Sequence, residues 1–403
     1  MTEQINTPEL RFPEFKNEWK LENLGNLADI VRGASPRPIK DSKWFDDNSD
    51  IGWLRISDVT QQNGKIKFLQ QHLSTEGQKK TRVLYEPHLL LSIAASVGKP
   101  VINYVKTGVH DGFLIFMKPK FDLYFMFNWL ENFQLKWNKY GQPGSQVNLN
   151  SDLVKSQNIY IPYSYEEEEK MGTFFSKLDR QIELEEQKLV KLEEQKKGYM
   201  QKIFSQELRF KDDNGNSYPD WSIKKIEDIS KVNKGFTPNT KNDEYWDELN
   251  ENWLSIAGMT QKYLYKGNKG ITEKGASKHV KVDKDTLIMS FKLTLGKLAI
   301  VKEPIYTNEA ICHFVWKESN VNTEYMYYYL NSINISTFGA QAVKGVTLNN
   351  DSINSIIVKL PVIQEQYKIA YFFNELDKLI RKQYAKIELL KQRKNGLLQK
   401  MFV

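Results

Sequence analysis

The chain repeats itself, and that constrains its fold more than any other feature. Glu-Leu-Arg-Phe occurs at Glu9–Phe12 and again at Glu207–Phe210. The blocks that follow return in the same order at nearly the same offset. Trp19…Arg32-Gly33-Ala34-Ser35-Pro36 is answered by Trp221…Lys234-Gly235-Phe236-Thr237-Pro238. Trp53-Leu54-Arg55-Ile56 is answered by Trp253-Leu254-Ser255-Ile256, Ser92…Gly98-Lys99 by Ser290…Gly296-Lys297, and Gly144…Leu149-Asn150 by Gly345…Leu348-Asn349. Each copy then passes a proline (Pro162, Pro361) into a long helical tract. Six ordered matches make a tandem duplication, so the 403 residues fold as two similar domains of about 200 residues each, long enough to bury a core apiece.

Within each copy, Leu89–Ala95 and Leu287–Leu295 are apolar runs of strand length, and Phe113–Met117 and Ile311–Trp316 read as further strands. Tyr124–Tyr140 and Tyr325–Thr337 read as aromatic-rich helices. The expected class is α+β: two tandem globular domains (1–160 and 207–360), separated by two long helices (161–206 and 361–403) that pair as an antiparallel coiled coil about a pseudo-twofold.

The helical tracts Glu166–Phe204 and Gln364–Phe402 carry heptads. The first opens with a capping-box spacing, Ser164 to Glu167. One seam runs Phe175, Leu178, Ile182, Glu185, Leu189, Leu192, Lys196, Tyr199, Ile203, and the other Phe373, Leu376, Ile380, Gln383, Ile387, Leu390, Lys394, Leu397, Met401. Both have polar breaks in the same two places. An antiparallel register sets Ile182 opposite Leu397, Leu189 opposite Leu390, Leu192 opposite Ile387, Tyr199 opposite Ile380 and Ile203 opposite Leu376. It also sets Glu185 opposite Lys394 and Lys196 opposite Gln383. A helix of this length extends roughly 58 Å at about 1.5 Å per residue. Two similar domains held apart by such a rod suit a partner with twofold character, and duplex DNA is the obvious one.

Charge supports that partner only locally. The net +7 comes from 57 basic and 50 acidic residues. Residues 361–403 supply +5 of it, and each globular domain is nearly neutral. Two lysine-rich windows, 64–99 and 262–297, fall at matching places in the two copies and suit phosphates. The candidate DNA contacts in domain one are Arg32, Arg37, Arg55, Lys79, Lys80, Arg82, Lys99 and Gln146. In domain two they are Lys234, Asn239, Gln261, Lys278, Lys281, Lys292, Lys297 and Lys344. Their types can donate to phosphates or base edges. The two sets differ, so the domains are expected to read different half-sites.

Catalytic patterns are missing from the sequence. There is no Pro-Pro for an adenine-methyltransferase loop, no Gly-rich nucleotide fingerprint, no Walker lysine, and no Glu-x-Lys after Pro219-Asp220. Cys312 is the one cysteine; adjacent to His313 on a strand, it reads as a buried thiol rather than a metal ligand. No apolar run is long enough for a membrane span, and the opening residues lack a signal core, so the expected location is the cytoplasm.

These patterns resemble the specificity subunit of type I restriction–modification systems over the whole length. The resemblance is carried by Trp19 and Trp221 with Gly33-x-Ser-Pro36 and Gly235-x-Thr-Pro238, and by Gly345-Val-Thr-Leu348 running into Leu360-Pro361-Val-Ile-Gln-Glu365-Gln366. The helix ends Lys197-Gly198-Tyr-Met-Gln-Lys-Ile-Phe204 and Asn395-Gly396-Leu-Leu-Gln-Lys-Met-Phe402 carry it further. Copy one departs at Tyr163–Glu169, where Glu replaces the usual Glu-Gln pair, but the heptads survive. The resemblance implies two target-recognition domains, each reading half of a bipartite asymmetric site. The helices set the gap and dock two methyltransferase subunits, and restriction subunits (motor and nuclease) join the complex. This chain is then non-catalytic and holds no cofactor: S-adenosylmethionine belongs to the methylase, and ATP and magnesium to the motor. The residues alone also allow a stand-alone bivalent DNA-binding regulator, or a coiled-coil scaffold without DNA.

Overall fold

The computed structural model describes residues 7–94, 96–140, 149–277, 279–342 and 345–403. The chain forms two compact units, one of Met1–Gln187 with Tyr384–Val403 and one of Lys188–Gln383. Each long helix therefore contributes to both: Tyr165–Phe204, the central helix, and Ile363–Met401, the C-terminal helix.

In the first unit a five-stranded sheet runs in the order Asp29–Arg32, Phe113–Met117, Leu89–Ser92, Pro100–Asn103, Lys65–Ile66. All its pairings are antiparallel except the last. Leu89–Ser92 is buried on both faces, as its continuous apolar run requires. Alternate side chains enter different cores. Leu89, Leu91, Ile102, Leu114 and Phe116 face the larger core beneath the helix Leu123–Phe133. Leu90, Val101, Phe113 and Ile115 face a smaller one with Leu54, Leu84 and Val109. Those last three belong to a second sheet, Gly52–Leu54, Thr107–Val109 and Arg82–Leu84.

The second unit repeats the plan. Its five-stranded sheet runs Ser230–Lys234, Ile311–Trp316, Leu287–Ser290, Leu298–Val301, Tyr263–Leu264. Leu287, Met289, Ile300, Cys312 and Phe314 enter the larger core, and Ile288, Ala299, Val301 and Ile311 the smaller. The expected strands Phe113–Met117 and Ile311–Trp316 keep their predicted bounds. The expected helices Tyr124–Tyr140 and Tyr325–Thr337 do not. They become Leu123–Phe133 followed by a tighter 3₁₀ stretch, Gln134–Tyr140, and Thr323–Ser332 followed by Ile335–Phe338.

The helices run antiparallel within each unit. In the first, Phe175 lies 5.9 Å from Phe402, Lys391 pairs with Glu186, and Lys386 pairs with Glu185. In the second, Phe204 lies 5.8 Å from Phe373 and Tyr199 meets Phe372 edge-on. The end of each helix plugs a core. Leu398, Met401 and Phe402 complete the larger core of the first unit, where Phe402 sits 5.3 Å from Phe125. Ile203 and Phe204 do the same for the second, with Phe204 5.9 Å from Tyr325. The shared helix-end signature is thus a pair of core plugs.

The heptad seam is buried where it matters most. Ile182, Leu189 and Ile387 are buried, Leu192, Ile380, Leu390 and Leu397 are half-buried, and Tyr199 is partly exposed. The two seam lysines find carboxylates outside the seam. Lys394 pairs with Asp179 at 2.8 Å and Glu131 at 2.5 Å, while Lys196 pairs with Asp377 at 2.6 Å. Burial disfavours the Lys394 ammonium, and the two carboxylates outweigh it and raise its pKa. A buried cation takes the carboxylates that can enclose it, and a flexible lysine reaches them across turns of helix, so heptad facing alone does not select its partners.

Candidate nucleic-acid interface

Strand pairing brings distant residues of the first domain together around one turn, His110-Asp111-Gly112. The Ala34 N–H donates to the Val109 carbonyl at 3.0 Å, laying the loop Gly33–Arg37 against this turn. Gly33 is needed there: a Cβ would lie 2.2 Å from the His110 carbonyl oxygen. Arg32 Nε donates to the Asp111 carbonyl at 2.6 Å, and Arg37 Nη2 to Asp111 Oδ2 at 2.6 Å. The Ser35 hydroxyl donates to Asp111 Oδ1 at 3.0 Å. Thr81 and Arg82 close the other side, Arg82 Nε donating to the Arg32 carbonyl at 2.8 Å. Lys79 and Lys80 precede them, exposed.

Burial opposes ionisation of Asp111, but Ser35, His110 and Arg37 outweigh it and hold its carboxyl below the ordinary range. Burial also lowers the His110 pKa against the pull of Asp111, with Arg37 and Arg32 acting in the same direction as burial. Beside the turn is an open cavity of about 650 Å³, walled by Trp53, Phe45 and His110 and rimmed by Lys40, Arg55 and Gln71. Arg55 is fixed by Asp58, whose carboxylate also accepts the Arg55 backbone N–H at 2.8 Å. Six sequence-selected residues, Arg32, Arg37, Arg55, Lys79, Lys80 and Arg82, therefore lie around this turn.

Lys99 does not join them. It lines a second cavity of about 540 Å³ with Lys65, Lys67 and the helix residues Asp179 and Glu183. Lys65 and Lys67 bind those two carboxylates at 2.6 and 2.7 Å. The basic window 64–99 is thus divided between a helix-facing side and the open surface. The window 262–297 divides likewise: Lys262 is buried against Glu324 at 2.5 Å, with burial lowering its pKa despite that partner.

In the second domain the Phe236 N–H donates to the Thr307 carbonyl at 2.8 Å, forming the same loop-on-turn junction. Asn308 and Glu309 stand where His110 and Asp111 stand, and Asn308 Nδ2 donates to Thr237 Oγ1 at 2.8 Å. Lys234 occupies the Arg32 position and reaches over the Phe291 ring, and Lys292 approaches the same ring. Asn239 takes the place of Arg37, and its carbonyl accepts from Trp246 Nε1 at 3.2 Å. Lys281 lies over Tyr306. Gln261 is exposed and Lys297 half-buried. Gln146, Lys278 and Lys344 lie outside the described residues. His110, Asp111 and Gln71 were not among the sequence candidates; the signal for the first two was the turn before a strand at equivalent places in both copies.

Cys312 is fully buried, and burial pushes its thiol up to about 12. His313 is buried with its pKa lowered to about 4, its Nε2 2.5 Å from Thr307 Oγ1. Among the described residues, no group of three or more His, Cys, Asp or Glu is placed to hold a metal ion, and no helix is long and apolar enough to cross a membrane.

The profile of the type I restriction modification DNA specificity domain matches twice, over residues 16–194 and 218–390. The chain belongs to this family. Its two specificity domains are the two repeats. It is similar to the type I restriction enzyme MjaIX specificity subunit of Methanocaldococcus jannaschii, at 30% identity over 209 residues, covering 50% of this chain and 48% of that protein. The MjaVIII specificity subunit of the same organism is 22% identical over 268 residues, covering 60% and 61%. The chain thus spans about half to three-fifths of the length of these relatives. Among solved structures, the type I restriction–modification S subunit from M. genitalium superposes with a TM-score of 0.58 at 13% identity, over 98% of this chain and 99% of that one. A chain from a study of complex assembly and conformational transition in the type I system gives 0.63 at 13%, over 96% and 98%. These likenesses show the specificity-subunit fold.

Proposed function

We propose that this chain is the DNA sequence-recognition subunit of a type I restriction–modification complex. Each globular domain reads one half of a bipartite, asymmetric site. The long helices set the gap between the halves and dock two methyltransferase subunits, with restriction subunits completing the assembly. The chain itself is non-catalytic, and S-adenosylmethionine, ATP and magnesium act on its partners.

The observation that carries this reading is the loop-on-turn junction built twice on one backbone plan with different side chains. Arg32, Arg37 and His110-Asp111 in one domain are answered by Lys234, Asn239 and Asn308-Glu309 in the other. A repeated scaffold with exchanged donors and acceptors suits two different base sequences.

The test is to express the chain with the methylase of its own system and map methylated adenines in the host DNA. A split motif with two unlike halves and a constant gap is expected. No methylation, or an uninterrupted motif, overturns the reading. Inserting four residues at matched places in both helices should lengthen the gap; an unchanged gap removes the ruler from the proposal.

A further inference from the structure

We propose that Arg37 is a base-reading side chain of the first domain, and that Asp111 turns it away from phosphates toward a guanine edge. This rests on the DNA-recognition reading above. The Arg37 side chain is 70% exposed, yet its guanidinium is held at one nitrogen, Nη2, by Asp111 Oδ2 at 2.6 Å. The carboxylate is itself fixed, because Oδ1 accepts the Ser35 hydroxyl and the Asp111 backbone carbonyl binds Arg32 Nε. Arg37 thus keeps the second Nη2 hydrogen, beside Nη1 or Nε, for a two-pronged contact made from a braced position rather than from a free side chain.

Charge decides what such a group contacts. A phosphate favours an uncompensated cation, and affinity follows the counterions released. An arginine with a carboxylate 2.6 Å away forms a nearly neutral unit, and phosphate repels the carboxylate. Its directional N–H donors remain, and their fork matches the O6 and N7 acceptors of guanine. The carboxylate beside them can accept from the paired cytosine amine. Lys79 and Lys80 contrast with this: both are exposed, and among the described residues neither has a carboxylate within ion-pairing distance. They suit phosphates. In the second domain Asn239 stands in place of Arg37, so the guanine-reading unit belongs to one half-site alone.

The experiment uses the full chain co-purified with its methylase, binding a library of duplexes across a series of salt concentrations. Arg37→Ala should lose discrimination at one G·C pair in one half-site by roughly 5- to 150-fold, with the salt slope unchanged. Arg37→Lys keeps the charge but not the fork, and should lose the same discrimination. Lys80→Ala should weaken all duplexes alike and reduce the salt slope by about one. If Arg37→Ala instead weakens every duplex equally and flattens the slope, or changes nothing, the assignment is wrong while the recognition reading stands. A wild-type complex with no sequence preference overturns both.

Discussion

Arg11 grips Glu167 with a fork: Nε lies 2.6 Å from Oε1 and Nη2 lies 2.7 Å from Oε2. Glu167 is only 1% exposed, in the first turn of the central helix, and Trp19 Nε1 adds a third donor at 3.3 Å. The second copy repeats the arrangement: Arg209 forks Glu365 at 3.2 and 2.7 Å, and Trp221 Nε1 donates to it at 3.0 Å. The repeated Glu-Leu-Arg-Phe and the repeated tryptophan are therefore two parts of one device that fastens each domain's opening segment to the start of its own helix. Because Arg11 takes the Glu167 carboxylate, only half of the expected capping box forms, the Glu167 N–H donating to Ser164 Oγ at 3.4 Å.

Removing one member of that fork strands the other. Arg11→Ala leaves a buried carboxylate with the indole as its remaining side-chain donor, and should cost about 3–5 kcal/mol in urea unfolding. Arg11→Ala combined with Glu167→Gln should cost less than Arg11→Ala alone, since no unpaired charge is left. A double variant less stable than the single would show that the site favours a carboxylate even without Arg11, held by the Trp19 indole and the start of the helix.

The features legible in the sequence are those that local pattern governs. The long helices were readable because heptads run through them without proline, and the strands Phe113–Met117 and Ile311–Trp316 because they are continuous apolar runs. What eluded the pattern depends on long-range pairing. Nothing local says that Lys65 turns to Asp179 while Lys80 stays in the open, because the sheet and the helix supply those neighbours. Arg32 and Arg82 are fifty residues apart and meet only because their strands frame the same turn. The aromatic helices were overextended because Gln134–Tyr140 keeps a helical composition while tightening to 3₁₀.

Gly33→Ala tests the loop-on-turn junction. The new methyl group would lie 2.2 Å from the His110 oxygen and 2.7 Å from that of Val109, both backbone atoms that cannot swing aside. The loop must lift, at a cost of about 1–3 kcal/mol, with Arg37 displaced along with it. Gly198→Ala on the central helix meets nothing within 4 Å and should be neutral or stabilising by up to about 1 kcal/mol. Equal melting of the two variants would refute the close approach at Gly33.

Lys394→Glu would place a third carboxylate beside Glu131 and Asp179 in a site where the lysine is 8% exposed. A loss of about 3 kcal/mol or more is expected in chemical denaturation. Lys391→Glu, at an exposed pair with Glu186, should cost about 1 kcal/mol or less. Similar losses for both would mean that Lys394 is solvated.

Cys312 should be silent in the folded protein. It is fully buried with its thiol pushed up to about 12, so little thiolate exists at pH 8 and none of it is reachable. A thiol–disulfide reagent should label it only after denaturant is added. Stoichiometric labelling within seconds in native buffer would contradict the burial.

Glu168 gives the first domain a pH dependence that the second should lack. Burial pushes its carboxyl up to about 7; the Asp122 N–H bond at 2.9 Å and Lys20 oppose this, while the charges of Asp122 and Glu167 add to it. The equivalent Gln366 accepts the Asn322 N–H in the same way and donates its amide to the Asn320 and Pro361 carbonyls. A carboxyl whose folded pKa lies above its unfolded value of 4.5 binds its proton more tightly when folded. That contribution is fully present below pH 4.5 and is lost as pH rises through about 7. Glu168→Gln should therefore stabilise the protein by up to about 3 kcal/mol at pH 8 and flatten the decline between pH 5 and 8. A variant that is less stable than wild type at pH 8 would show that the ionised carboxylate is the favoured form.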